Sequence, residues 1–337
     1  MRTVTLGRTG ITVHKDALGA LPLQRASVPD AIKLIQAAVD AGINYIDTAR
    51  VYSDSEEKLG LALEGRRQSV FIASKTMAAT AEGLEKDLET SLKLLKTDCI
   101  DVYQLHNPEF VPKPGHELYD ALLKVKQAGK IRFTGFTNHR LPVAREAAQS
   151  GLYDVLQYPL SYLSDPRELE LSHLCAENGV GFVAMKALSG GLITDIGLAR
   201  RFLNECENVL PIWGLQRMRE LEALIKARDT DGDACLSGAD HEKIAAERQA
   251  LGDDFCRGCG YCLPCSEGIQ IFNCARTSLL IRRSPSDYWL GDEWRAEMAK
   301  IENCRECGSC ASRCPYGLNP PALLKKNFAD YQTFFQA

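Results

Sequence analysis

Short apolar runs alternate with amphipathic stretches through the first two-thirds of the chain. The runs read DALGALPL, INYIDTA, VFIASK, CIDVYQLH, IRFTGFT, DVLQYPL, GFVAMKAL and NVLPIWG. Between them lie VPDAIKLIQAAVDAG, SEEKLGLALEG, TAEGLEKDLETSLKLLK, GHELYDALLKVKQAGK, LPVAREAAQSG, DPRELELSHLCAENG and TDIGLARRFLNECE. In the first of these, Ile32, Ile35 and Val39 recur at helical spacing and Gly42 supplies the stop. The runs are almost continuously apolar, as parallel strands covered on both faces must be. Eight such runs with helices between them, over about 225 residues, predict an α/β fold of the (β/α)8 TIM-barrel class. An open doubly wound sheet is the weaker alternative. It carries a Gly-rich phosphate loop after its first strand, where this chain reads ALGALPLQR. LGRTGITV, with Gly10 at its turn, predicts a hairpin ahead of the barrel.

The pattern changes after Ala227. RDTDGDACLSGAD is polar and rich in Gly and Asp, and reads as a linker. A helical HEKIAAERQAL follows, then two cysteine runs separated by the segment 266–303. That spacer predicts helices around a turn at Ser284-Pro285. The expected division is therefore a barrel over 1–227, then a linker and a small, mainly helical domain over 228–337. So small a piece has a thin apolar core, and bound metal should supply much of its folding stability.

The cysteine runs carry the sharpest chemical signal. The first is Cys256-x2-Cys259-x2-Cys262-x2-Cys265, and the second is Cys304-x2-Cys307-x2-Cys310-x3-Cys314 followed by Pro315. The second has the ferredoxin-type spacing that wraps a 4Fe–4S cluster, with the fourth cysteine ligating the other cluster. Two runs imply two 4Fe–4S clusters. One takes Cys256, Cys259, Cys262 and Cys314; the other takes Cys304, Cys307, Cys310 and Cys265. Zinc is the alternative for paired Cys-x2-Cys motifs, but triplets ending in Cys-Pro favour iron–sulfur. The first run departs from the ferredoxin pattern: Ser266 stands where a proline usually follows, and its last spacing is one residue short.

Charge and composition narrow the remaining classes. A net charge of −4 and a pI near 5.9 argue against a nucleic-acid stripe or an anionic-membrane patch, both of which need concentrated Lys and Arg. No apolar run reaches the roughly 18 residues of a membrane span. The opening MRTVTLGRTGITVHKD lacks a secretory pattern. The expectation is a cytoplasmic protein with no nucleic-acid or membrane partner. The other five of the thirteen cysteines, Cys99, Cys175, Cys206, Cys235 and Cys274, are scattered; most read as small buried apolar groups.

Within the barrel, ionisable residues fall at the carboxyl ends of strands, where barrel enzymes place their chemistry. Asp47 closes INYID, Tyr52 follows in the loop, Lys75 closes VFIASK and His106 closes CIDVYQLH. An ammonium beside a phenol lowers the phenol's pKa, and a carboxylate holds the ammonium charged and oriented. An imidazole nearby can hydrogen-bond a carbonyl. The set suits proton transfer during carbonyl reduction. His139, after the fifth run, reads as a solvated or capping residue in preference to a pocket residue.

LGRTGI, DTARVYSDSEEKLG and the strand-end Lys and His resemble the aldo-keto reductase family over nearly the whole barrel. GCGYCLPC and CGSCASRCP resemble the subgroup carrying a C-terminal 4Fe–4S ferredoxin-type domain. The resemblance implies that Asp47, Tyr52, Lys75 and His106 form the catalytic tetrad with Tyr52 as general acid. It further implies NAD(P)H as cofactor, with Asn138 and Gln157 holding the nicotinamide amide. The chain departs from the family where Met185 and Lys186 replace an aromatic that stacks on nicotinamide. It departs again after the eighth strand, in PIWGLQRMRELEAL. There Trp213 replaces a proline, Gly214 a basic residue and Leu224 an asparagine, leaving Arg217 and Arg219 to meet a phosphate.

The expected function is an iron–sulfur oxidoreductase that interconverts a small-molecule carbonyl and an alcohol. Its clusters would be structural or would exchange electrons with a partner protein. Two other readings remain open: a ferredoxin-linked redox enzyme without nicotinamide, and a non-catalytic, redox-responsive binding protein.

Overall fold

The computed structural model describes residues 2–251, 254–283 and 287–335. The turn expected at Ser284-Pro285 lies outside the described residues. The strands are β1 (Thr3–Thr5), β2 (Thr12–His14), β3 (Ala17–Gly19), β4 (Tyr45–Asp47), β5 (Phe71–Thr76), β6 (Ile100–His106), β7 (Ile131–Thr137), β8 (Val155–Pro159), β9 (Gly181–Met185) and β10 (Val209–Gly214). β3 to β10 pair in sequence order, and β10 pairs back to β3, closing an eight-stranded barrel. Every pair in it is parallel. All eight predicted runs contribute a strand, because helical crossovers return the chain to the same end each time.

The predicted hairpin is β1 with β2, antiparallel around Gly7 and Gly10. Its Val4, Leu6, Ile11 and Val13 share one core with Ala17, Tyr45, Val102, Val155 and Leu210 at the starts of barrel strands. The hairpin therefore plugs the end of the barrel opposite the strand-end chemistry. Gly7 has φ +50 and bridges Val180; a methyl group there would stand 2.3 Å from Gly179 O. Only glycine fits such an approach.

Helix Val28–Asp40 starts where Ser27 accepts from Asp30 N at 3.3 Å, a standard N-cap arrangement. It buries Ala31, Leu34, Ile35 and Ala38. The predicted face, Ile32, Ile35 and Val39, is rotated from this: Ile32 and Val39 are only half-buried. The observed stripe is the full i, i+3, i+4, i+7 set, with Leu34 and Ile35 at its centre and a small alanine at each end.

The chain forms two compact units. One comprises the residues up to Ala187 with Ile196–Leu236; the other comprises Leu188–Asp195 with the described residues from Ser237 onward. Helix Met218–Asp231 runs through the expected boundary at 227, and the division falls after Leu236. The polar RDTD segment stays helical because its ends are tied. Asp231 pairs with Arg201 at 2.8 Å, and Gly232 ends the helix at φ +54. The inclusion of Leu188–Asp195 in the second unit has no compositional signal in the sequence. Among the described residues from Ser237 onward there are helices and no strands, including Gly238–Leu251, Thr277–Arg283, Asp292–Ala299 and Pro320–Thr333. No helix of the described chain is long and apolar enough to cross a membrane.

A buried ion pair ties the barrel's closing seam. Arg200, 2% exposed, contacts Asp16 at 3.2 Å and donates to Gly232 O at 2.7 Å. Trp213 Nε1 donates to Asp16 Oδ1 at 3.0 Å. Removing one member strands a buried charge. Arg200→Met is expected to destabilise the barrel by about 3–5 kcal/mol, read as a lower urea midpoint for its unfolding. A shift under about 1 kcal/mol would mean that water reaches Asp16 in the folded state.

Candidate functional site

Three consecutive strands and one loop assemble the polar centre of the barrel. Asp47 ends β4, Lys75 sits near the end of β5 and His106 ends β6. Lys75 Nζ donates to Asp47 Oδ2 at 2.7 Å and to Thr48 O at 2.6 Å. Both side chains of the pair are buried, at 1% and 3% exposure. Tyr52, in the loop after β4, presents its ring to both neighbours. Lys75 Nζ lies 5.1 Å from its centroid, and the His106 ring meets it edge-on at 6.1 Å and 85°. The four residues singled out in the sequence are thus brought together.

Burial sets their protonation. It pushes the Tyr52 phenol above its usual 10, outweighing the Lys75 ammonium and its hydrogen bond, which pull the other way. The sequence argument expected the ammonium to win; desolvation reverses the net direction. Tyr52 therefore stays protonated at neutral pH. Burial also raises the Asp47 carboxyl, against Lys75, Gln157 and Gln104, which favour its charge. His106 is lowered to about 3, by burial first and then by Lys75. It remains a neutral imidazole, able to hydrogen-bond but carrying no charge. His139 is buried and its pKa falls well below the usual value, by desolvation and then by Lys186 and His106. Its expected solvated role is corrected: the fold turns the end of β7 inward.

One functional neighbour escaped the sequence reading. Gln104 Nε2 donates to Gln157 Oε1 at 2.9 Å and to Asp47 Oδ1 at 3.4 Å, and Gln157 Nε2 donates to Asp47 Oδ2 at 3.3 Å. Gln104 precedes His106 by two residues, so both face the same side of β6. A lone amide inside an apolar strand was the available signal.

The expected cofactor residues are placed as follows. Gln157, in β8, belongs to this carboxylate network. Asn138 follows β7, donates from Nδ2 to Pro108 O at 2.8 Å and accepts from Arg140 N at 2.8 Å. Each amide has a second N–H and a second oxygen lone pair to offer. Gln104 Oε1, His106 Nδ1 and Asn107 Oδ1 are buried without a hydrogen-bond partner. The carboxyl end of β6 thus has unmet polar capacity, which fits a ligand carrying a carbonyl and a carboxamide. Met185 ends β9, half-buried against the barrel core, and Lys186 follows with φ +59.

Beyond β10 the picture differs. Gly214 is exposed, while Leu224 and Trp213 are buried. The Glu220 carboxylate accepts from Gln216 N at 2.7 Å and Arg217 N at 3.1 Å, and lies 4.0 Å from Arg217 Nε. The two amides just ahead of helix Met218–Asp231 are thus already paired with a carboxylate, whose negative charge sits where a helix start would meet an anion.

The second unit gathers its cysteines in an apolar core. Cys262, Cys274 and Cys310 are buried there with Ile271, Trp294, Met298, Leu324 and Tyr331, and Cys256, Cys265 and Cys304 pack against them. Cys256, Cys259, Cys262 and Cys314 line a single cavity, with Phe272 and Tyr316. That is the cross-run set expected for one cluster. Gly258 N donates to Cys256 Sγ at 3.3 Å, and Arg313 of the second run donates to Cys262 O and Pro264 O, each at 2.8 Å. Burial raises the Cys262 thiol to about 12, helped by Cys256 and Cys259. Such crowded thiols need a cation to hold them as thiolates. In the other set, Cys304 and Cys307 repel Cys310, whose pKa burial raises first. Cys307 is exposed, and its Sγ donates to Ser309 Oγ at 3.5 Å. None of the thirteen cysteines is paired in a disulfide. Four cysteine sulfurs on one cavity are the donor set a 4Fe–4S cube takes, while among the described residues no three His, Cys, Asp or Glu side chains are grouped as a single-ion site.

A profile of the Aldo/keto reductase family matches residues 17–201, and a profile described as a 4Fe-4S dicluster domain matches residues 255–319. L-galactose dehydrogenase of Arabidopsis thaliana is 32% identical over 213 residues, spanning 57% of this chain and 67% of its own. 6-Dehydroglucose reductase of Novosphingobium aromaticivorans is 35% identical over 153 residues, spanning 40% of this chain and 50% of its own. The holo form of an aldo-keto reductase from Bacillus halodurans superposes with a TM-score of 0.65 at 23% identity, covering 73% of this chain and 96% of that one; it shares the fold. The chain accordingly belongs to the aldo/keto reductase family, as an oxidoreductase that also carries a 4Fe-4S dicluster domain.

Proposed function

We propose that the barrel interconverts a small-molecule carbonyl and its alcohol, with Tyr52 as the general acid. The observation that supports this most directly is Lys75 held between Asp47 and the Tyr52 ring. In the reducing direction a hydride, carrying both electrons, reaches the carbonyl carbon and the oxygen takes one proton from the Tyr52 hydroxyl, which completes the alcohol and leaves a phenolate. Lys75 stabilises the phenolate left behind, and Asp47 keeps Lys75 charged and aimed. Neutral His106 directs the carbonyl oxygen by a hydrogen bond. A nicotinamide dinucleotide would supply the hydride; Asn138 and Gln157 would hold its carboxamide, with Met185 and Lys186 bordering the ring. Gly214 and Arg217 would border its phosphates.

Cys256, Cys259, Cys262 and Cys314 would hold one 4Fe–4S cluster, and Cys304, Cys307, Cys310 and Cys265 the other. Hydride moves two electrons and a cluster moves one, and no flavin motif converts between them. The clusters are accordingly assigned to holding the second unit together, with electron exchange reserved for a partner protein. Thirteen cysteines with no disulfide among them suit a reducing compartment such as the cytoplasm.

Calorimetric titration of the iron-replete chain with NADH and NADPH, followed by a carbonyl screen, tests the reading. Saturable binding and carbonyl-dependent loss of the reduced dinucleotide are expected. Failure to bind either dinucleotide would favour electrons entering through the clusters. Because the Glu220 carboxylate already holds the Gln216 and Arg217 amides ahead of its helix, an NADPH phosphate there would compete with it. Glu220→Gln is expected to tighten NADPH about tenfold, with a smaller change for NADH. Equal effects on the two would show that Glu220 does not meet the extra phosphate.

A further inference from the structure

One side chain in the second unit joins two stretches distant in sequence. Arg276 follows the short helix Ile271–Cys274 and is 8% exposed. Its Nη1 donates to Gly190 O at 3.1 Å. Gly190 lies in Leu188–Asp195, which continues the chain from β9 yet belongs to the second unit. The same guanidinium lies against Gly258, between Cys256 and Cys259. A methyl group on Gly258 would stand 2.5 Å from Nη1, and one on Gly190 2.6 Å. Both glycines have φ +65, a left-handed backbone that favours glycine. Two loops are moulded on one cation.

We propose that Arg276 is a positioning residue that makes occupation of the first cluster site and the conformation of Leu188–Asp195 a single event. This rests on the reading that Cys256, Cys259, Cys262 and Cys314 hold a cluster. Binding metal fixes the Cys256–Cys262 turn. The turn confines the guanidinium through Gly258, and the guanidinium holds Gly190 by its carbonyl. Further along the segment, Leu192 and Ile193 are buried and Asp195 pairs with Lys243 at 2.6 Å. Iron loss would therefore loosen the chain immediately beyond Met185 and Lys186.

Hydrogen exchange on anaerobically purified, iron-replete protein tests the coupling. Chelating the iron is expected to speed exchange across 188–195 about tenfold, together with 256–262, while β4 to β6 stay unchanged. Arg276→Met, with its iron and sulfide retained, should speed 188–195 by a similar factor. Gly190→Ala, which crowds the guanidinium without removing it, should do the same and serves if Arg276→Met fails to fold. Unchanged exchange in 188–195 once chelation has opened 256–262 overturns the coupling. So does unchanged exchange in an iron-replete variant. A chain that purifies without iron or sulfide instead removes the cluster reading beneath it.

Discussion

Tyr52→Phe is expected to lower kcat for carbonyl reduction by about 10²- to 10⁴-fold, the usual contribution of a positioned general acid. The ring, and with it the contacts to Lys75 and His106, is retained, so folding should be unaffected. The wild-type profile carries a second signature. Burial holds the Tyr52 phenol above 10 and His106 near 3. The donor is thus protonated and the imidazole neutral across the range between, and neither should bend the rate there. A variant that keeps turnover within about threefold of wild type would deny Tyr52 the proton-donor role. An alkaline limb near pH 7 would instead show that Lys75 outweighs burial.

Cys256→Ala should cut iron from about eight to about four per chain, one cluster's worth. The cavity it lines would then expose apolar core around Ile271 and Leu323. Limited proteolysis should cleave the second unit while leaving the barrel intact. An unchanged iron count would move the first cluster to other ligands. Cys274→Ala should leave the count at its wild-type level, because that thiol is buried in packing and raised to about 12 by burial.

The barrel was legible because each strand is a compact apolar run, and the parallel order follows from helical crossovers. The meeting of Asp47, Lys75 and His106 was legible for a related reason: strand ends in a barrel converge, although the three are far apart in sequence. The cysteine spacing put Cys256, Cys259, Cys262 and Cys314 in one group, and these four do line one cavity. Net burial at Tyr52 was not readable, since desolvation depends on everything packed around the phenol. Gln104 needed the inward parity of β6 to be taken seriously at a polar residue. Glu220 needed a helix start at Met218, which the polar sequence around it did not announce. The place of Leu188–Asp195 was hidden more deeply, because its partner, Arg276, looks in sequence like one more surface base.

The discontinuity of the second unit has a consequence for biosynthesis. Leu188–Asp195 leaves the ribosome with the barrel, long before Arg276, and Cys314 emerges after every other sulfur around its cavity. Nascent chains fold in the order they appear. The barrel therefore emerges with one of its connections still waiting for its partner, and under the coupling proposed for Arg276 iron insertion would be the late step that finishes both.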